Sequence, residues 1–167
     1  EDTFRLKDFL AQHKPKSAVM VGGGFIGLEV AENLRHLGMD VTIVQRPKQL
    51  MNPFDADMAS FIHAEMRKHG VKLALGYSVA GFAENAGGVD VLLKDQPSIH
   101  GDMVVLAIGV TPESSLAKDA SLALGLKGSI LVNDRMETSV PDIYAVGDAV
   151  QVKHYVTGSD ALIALAG

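Results

Sequence analysis

The chain has 167 residues, 47% of them apolar and 21% charged, which is enough apolar side chain for one packed core of ordinary size. Its formal charge of -5, from 15 Lys+Arg against 20 Asp+Glu, offers no basic field to draw in a phosphate backbone, so no nucleic-acid partner is expected. Apolar runs such as Met103 to Ile108 fall far short of the roughly 20 residues of a membrane helix, no secretory leader pattern is present, and the absence of cysteine removes disulfides, thiolate metal sites and a cysteine nucleophile; a soluble, cytoplasmic chain with no membrane partner is expected.

Phe4, Leu6, Phe9, Leu10 and His13 recur near helical spacing, and Lys14-Pro15-Lys16 ends the segment, so residues 1–13 read as a leading helix and linker. Ala18 to Val21 is a short strand interrupted by Gly22-Gly23-Gly24, after which Phe25 to Leu37 predicts a helix stopped by Gly38. Val41 to Val44 alternates little, as befits a strand buried on both faces of a parallel sheet, and together these form one βαβ unit. The next helix is expected to open with Asn52 as N-cap and Pro53 at its first position, favoured by Asp55 and Asp57, and to end before Gly70. Phe54, Met58, Ile62 and Met66 give it one face to bury, with Met51 as further core filling. Val71 to Leu75, Val79 to Glu84 and Val89 to Leu93 read as strands, the last two joined by the hairpin chemistry of Asn85-Ala86-Gly87-Gly88, and Val104 to Ile108 as an apolar strand ending at Gly109. Past Pro112 the expectations are a short helix within Ser114 to Leu126 and strands at Ile130 to Val132 and Ile143 to Val146, the latter ending at Gly147-Asp148. The missing initiator Met and the apolar run Ala161 to Ala166 lead to the expectation that this is a piece of a longer protein.

Gly22-Gly23-Gly24-Phe25-Ile26-Gly27 matches G-x-G-x-x-G between a predicted strand and a predicted helix. Gly22 allows the tight turn, Gly24 lets backbone approach a pyrophosphate, and Gly27 lets helix pack closely on strand, while the helix N-terminus favours phosphate. The fold class expected is therefore α/β: a Rossmann-like three-layer NAD(P)-binding domain with a parallel sheet and an added β-hairpin or meander. The acid that usually accepts from the adenosine ribose of NAD is replaced by Gln45, which carries no charge to repel a 2′-phosphate, and Arg46 beside it has the chemistry to pair with one. Gln45 can still accept a hydrogen bond from the ribose, so NADH and NADPH both remain open, as does a solvent-facing Arg46 that leaves Gln45 alone at the ribose. Glu29 reads as a favourable charge near the positive helix end. His63 and His69 are six apart and the other histidines are scattered, so no metal site is expected; Gly76-Tyr77-Ser78 lacks the spacing of a hydrolase elbow.

Three stretches in order, Val21 to Glu29, Ala107 to Pro112 and Thr138 to Ala149, resemble the FAD-dependent pyridine nucleotide-disulfide oxidoreductases. Met51-Asn52-Pro53-Phe54-Asp55, and Val156-Thr157-Gly158 with Leu165-Ala166-Gly167, are most similar to the branch of coenzyme A-disulfide reductases, NADH oxidases and persulfide reductases. The resemblance implies that residues 14–111 are the NAD(P)H-binding domain and 112–167 a linker and the start of a returning, incomplete FAD-domain segment. The longer protein would supply the rest of the FAD domain, a dimerisation domain and the redox-active cysteine, and would act as a homodimer. It also implies that Gly22, Gly23, Gly24, Ile26 and Gly27 belong to the pyrophosphate loop, that Phe25 lies over the flavin, and that Glu29 stands near the flavin–nicotinamide junction. Ile108 and Gly109 approach the nicotinamide, and Asp148 hydrogen-bonds the ribityl chain of FAD. No catalytic residue is expected in this chain, and the piece alone is expected to be inactive. Gln45 and Thr111 depart from the family's usual acid and arginine. The corresponding domain of a ferredoxin reductase or dihydrolipoamide dehydrogenase, and a non-catalytic NAD(H)-sensing module, remain alternatives.

Overall fold

The computed structural model describes residues 2–85 and 87–164, so Ala86 of the expected hairpin turn and the ending Leu165-Ala166-Gly167 lie outside the described residues. The chain divides after Gly109 into two compact units.

The first unit is built on a parallel sheet in the order β3-β2-β1-β7, comprising β1 (Ser17–Val21), β2 (Asp40–Gln45), β3 (Lys72–Leu75) and β7 (Met103–Leu106). The register aligns Met20 with Ile43 on one side and with Val105 on the other. Although these strands read as continuous apolar runs, successive side chains leave opposite faces. Ala18, Met20, Val41 and Ile43 join the layer of α1 (Asp2–His13), α2 (Phe25–His36) and α3 (Ala56–Lys68), meeting Leu6, Phe9, Ala31, Leu34 and Ile62. Val19, Val21, Val44 and Ala74 face the other way, onto Val91 and Leu93 of an antiparallel meander of β4 (Val79–Asn85), β5 (Gly88–Leu93) and β6 (Gln96–Gly101). The result is three layers with a Rossmann-like central sheet. Fully burying one Val, Leu, Ile or Met side chain contributes about 1.5–3 kcal/mol, and here both faces of the central strands do so.

Three expectations for this unit need correction. The helix expected from Pro53 begins at Ala56, with Asp55 as its extended N-cap, because Phe54 N–H closes a turn onto Met51 C=O at 2.9 Å and Met51 sits at φ 49. Its buried stripe runs through Ala59, Ile62 and Met66, leaving Met58 57% and Phe54 43% exposed, so Met58 is not core filling. The apolar strand expected to reach Ile108 ends at Leu106, since past it the chain turns toward Gly109 at φ 130. Strand β6 is not signalled by the sequence: Pro97 and its polar neighbours hide it, and proline is tolerated because, among the described residues, β6 has a ladder partner only in β5.

The second unit contains α4 (Ser115–Asp119), a 3-10 turn at Leu126–Gly128 and a small sheet of order β10-β9-β8, formed by β8 (Ile130–Leu131), β9 (Val150–Lys153) and β10 (Asp160–Ala161). The expected strand at Ile143 to Val146 is absent. Pro141 and a left-handed Asp142 (φ 62) fold the segment back, Thr138 N–H reaches Ile143 C=O at 2.9 Å, and Tyr144 forms a single bridge with Glu137. The strand that does form, β9, follows Gly147 (φ 86).

Candidate dinucleotide site

The site lies at the carboxyl ends of the parallel strands, where β1 has β2 on one side and β7 on the other. That reversal of strand order is where open α/β sheets bind ligands. Gly22 leaves β1 at φ 111, its N–H donating to Val44 C=O at 2.9 Å. A Cβ there would stand 2.2 Å from the Ala107 carbonyl oxygen, and one on Gly27 would stand 2.1 Å from that of Gly22. Both positions therefore require glycine for backbone packing. Gly24 differs: it is the extended N-cap of α2 (φ -87, ψ -170), makes no side-chain cap, and a Cβ on it would meet nothing within 4 Å. Glycine suits an N-cap, but neither space nor backbone angle demands it there, and the missing Cβ leaves the backbone open to what approaches from outside. The first N–H groups of α2 have no intrahelical acceptor and, with the helix dipole, favour an anion.

Gly23 is held on both sides. Its N–H donates to Gln45 Oε1 at 3.0 Å, its C=O accepts from Met51 N–H at 2.8 Å, and a Cβ would lie 2.3 Å from Leu50 Cδ2. Gln45 thus spends acceptor capacity on the loop itself and turns its amide NH2 group to other acceptors.

These residues wall a cleft of about 740 Å³ within the first unit. That volume lies in the range of small-molecule sites, roughly 300–1,000 Å³. Gly22, Gly23, Gly24, Gln45, Arg46, Ile108 and Gly109 all line it, with Val21 and Val44, which were not expected, beside them, so the structure gathers most of the expected site residues in one place. Arg46 is the lining's charged side chain, exposed and without a carboxylate partner among the described residues. Sequence reasoning missed Pro47, Asn52, Tyr77, Val79, Phe82, Leu106 and Ala107 in the same lining. The available signal was Tyr77 and Phe82 flanking the start of β4, aromatic residues next to a glycine-rich bend.

Phe25, Ile26 and Glu29 are not part of that lining. Phe25 and Ile26 are exposed on the first turn of α2, Phe25 meeting Phe54 edge to face at 6.5 Å, and Glu29 is exposed. Gly27 is buried under the loop rather than in the cleft. Asp148 belongs to the second unit, where it lines a hollow of about 500 Å³ with Val110, Thr111, Pro112, Glu113 and Lys127. The Ser115 hydroxyl and backbone N–H hold the Glu113 carboxyl below its usual range. Among the described residues no cluster of three or more His, Asp or Glu is arranged to hold a metal.

A family model for the pyridine nucleotide-disulphide oxidoreductases matches residues 3–161. The chain belongs to this family. It is 30% identical over 166 residues to the NAD(P)H coenzyme A polysulfide/persulfide reductase of Pyrococcus horikoshii, covering 99% of this chain and 37% of that protein. Curated relatives also include enzymes named NADH oxidase and coenzyme A disulfide reductase. Among solved structures, reduced Bacillus anthracis CoADR-RHD matches with a TM-score of 0.90 and 48% identity, over 98% of this chain and 29% of that one. The water-forming NADH oxidase of Lactobacillus brevis bound to NADH matches with a TM-score of 0.83 and 35% identity, over 95% and 35%. The chain therefore spans about a third of the length of such relatives.

Proposed function

We propose that the first unit is the NAD(P)H-binding domain of a flavin-dependent disulfide reductase or oxidase of the coenzyme A-disulfide reductase or NADH oxidase type. The observation that carries this is Gly24: a glycine that its own fold does not demand, at a helix N-terminus, in a cleft whose charged side chain is Arg46. A site so lined suits an anion that needs close backbone approach, which a pyrophosphate is. Gly22, Gly23, Gly24 and the first turn of α2 would hold it, with the Gln45 amide and Arg46 toward the adenosine ribose and Ile108 and Gly109 toward the nicotinamide. When bound, NAD(P)H supplies a hydride for a flavin. This chain's share is binding and aim: a preformed cleft converts an encounter into an oriented approach. Tyr77 and Phe82 line the cleft and lend it apolar surface. In the longer protein, residues 112–167 would begin the returning FAD-domain segment, Asp148 would accept from FAD, Phe25 and Glu29 would face the flavin, and a dimerisation domain would make a homodimer.

Titration of the chain with NADH and with NADPH, followed by nicotinamide fluorescence, tests the reading. Saturable binding of either is expected, abolished or much weakened in Gly24→Ala. Binding unchanged by that substitution would overturn it.

A further inference from the structure

We infer that His63, on α3 and outside the cleft, is a positioning residue that fixes the pyrophosphate loop through a relay of backbone hydrogen bonds. The inference rests on the dinucleotide reading of the cleft.

The relay begins where the His63 ring accepts from a backbone N–H: Leu50 N–H to Nε2, 3.0 Å. The next residue, Met51, donates its own N–H to Gly23 C=O at 2.8 Å, and Gly23 in turn donates to Gln45 Oε1 at 3.0 Å. One line of bonds thus runs from α3 through the 46–55 segment to the glycine loop and the end of β2. Leu50 and Met51 are both buried, so their N–H groups have no water to fall back on. Met51 also holds a left-handed φ of 49, a conformation that a residue with a Cβ keeps only where its surroundings impose it. The bonds to His63 and to Gly23 bracket that residue. Leu50 completes the wedge, its Cδ2 occupying the space beside the Gly23 Cα.

Nε2 accepts only while the imidazole is neutral with its proton on Nδ1; the imidazolium has donors alone. The surroundings favour the neutral ring. Burial lowers its affinity for a proton, and Arg67, one turn further along α3, is the charged group that lowers it again. From the 46–55 segment the ring meets a backbone N–H, and it has no carboxylate partner among the described residues. A proton on His63 therefore removes the acceptor for a buried N–H and releases the segment that braces Gly23.

The experiment compares the 167-residue chain with H63Q, whose amide oxygen reaches the same place without titrating, and H63L, which fills the space but accepts nothing. NADH affinity is measured by fluorescence from about pH 8 to about pH 5.5. Unmodified chain should lose affinity severalfold toward the acid end of this range, H63Q should hold within about twofold, and H63L should be about tenfold weak throughout. Amide exchange of Leu50 and Met51 should follow the same order. Identical pH profiles for the unmodified chain and H63Q, or unmodified affinity in H63L, overturn the inference while leaving the dinucleotide reading in place. Should H63L fail to fold, the comparison with H63Q decides alone. No binding at about pH 8 in any form overturns both.

Discussion

The two units of this chain hold their backbone in different ways. Around β1 and β2 every strand has a ladder neighbour and cover on two faces, so Met20, Ile43 and Val91 are all fully buried. In residues 110–164 the buried apolar side chains among those described are Ala117 and Val150, while Leu116, Val146, Tyr155 and Val156 stand exposed. Ile143 to Val146 is as apolar as Met103 to Leu106, yet only the second becomes a strand. The difference is not composition but neighbours: Met103 to Leu106 docks in register beside β1, whereas Tyr144 finds one bridge partner in Glu137. A strand signal states what a segment will do given an adjacent edge; it does not supply the edge.

The sharpest way to break this contrast is to remove the same kind of side chain from each unit. Ile43→Ala should destabilise the first unit by about 2–5 kcal/mol, because both faces of its sheet are covered and the cavity has little room to collapse. Val150→Ala should cost the second unit less, near the lower end of that range, since its surroundings are open enough to relax. Hydrogen exchange resolves the units separately: β1 and β2 amides should be the slowest, β8 and β10 amides much faster. Equal losses, or uniformly slow exchange in both, would remove the distinction.

The glycine loop carries a second contrast, between two glycines two residues apart in one turn. In Gly22→Ala a backbone oxygen stands where the new Cβ must go, at a φ that L residues rarely adopt, so folding should suffer by about 2 kcal/mol or more. Gly24→Ala fits both the space and the backbone angles and should cost less, at most about 1 kcal/mol for the poorer N-cap. Its effect should fall on dinucleotide affinity, about tenfold or more, through the lost close approach. If both variants lose stability alike, Gly24 is structural and the functional reading of the cleft weakens.

How far these features could be read in advance follows the same division. The glycine loop, the βαβ unit and the α/β class were legible because each is written in adjacent residues: Gly22 to Gly27 after a β-branched run, Gly38 after a helix. The hairpin between β4 and β5 was legible for the same reason. What escaped depended on distant partners. Asp55 rather than Asn52 caps α3 because Met51 and Phe54 close a turn that only the packed Leu50 explains. Strand β6 is disguised by Pro97, acceptable only at an edge that the rest of the meander defines. In the cleft, the loop and Gln45 were visible through spacing, while Tyr77 and Phe82 show only aromatic character beside Gly76 and Gly81, and the Leu50 to His63 bond arises from a chain reversal with no local signature.

Asp102 offers a middle-sized test of how the first unit is closed. Its carboxylate accepts from the N–H groups of Lys16 at 2.6 Å and Ser17 at 3.0 Å, while its own N–H donates to Ser17 Oγ, tying the turn before β7 to the start of β1. The Lys16 backbone bond, against an opposing desolvation cost, holds this carboxyl below its ordinary value of 3.8, with Ser17 and His100 adding to the lowering. The unfolded chain therefore binds the proton more readily, so the stabilisation is complete above that ordinary value and is lost as pH falls through the lowered one. Asp102→Ala should cost about 1–2 kcal/mol near neutral pH and remove this acid-limb dependence, as read by urea melts at several pH values. A variant melting like the original at neutral pH would show the bonds to be inconsequential.

The smallest expected effect concerns Arg46, and it sharpens the division between what the fold requires and what a ligand requires. Arg46 is exposed, makes no ion pair among the described residues and lines the cleft beside Gln45, so its removal should leave folding untouched. Any role it has must appear in binding. Pairing with a 2′-phosphate at an exposed position is worth on the order of 1 kcal/mol, about a fivefold change in affinity, and salt screens it. Arg46→Ala should thus weaken NADPH severalfold at low salt, less at moderate salt, and NADH hardly at all, measured by parallel fluorescence titrations. A preference for NADH that Arg46→Ala does not alter would place the guanidinium in solvent and leave the Gln45 amide as the side chain that meets the ribose. Because the same Gln45 amide already braces the loop by accepting the Gly23 N–H at Oε1, Gln45→Asp would then change both the loop brace and the ribose contact at once.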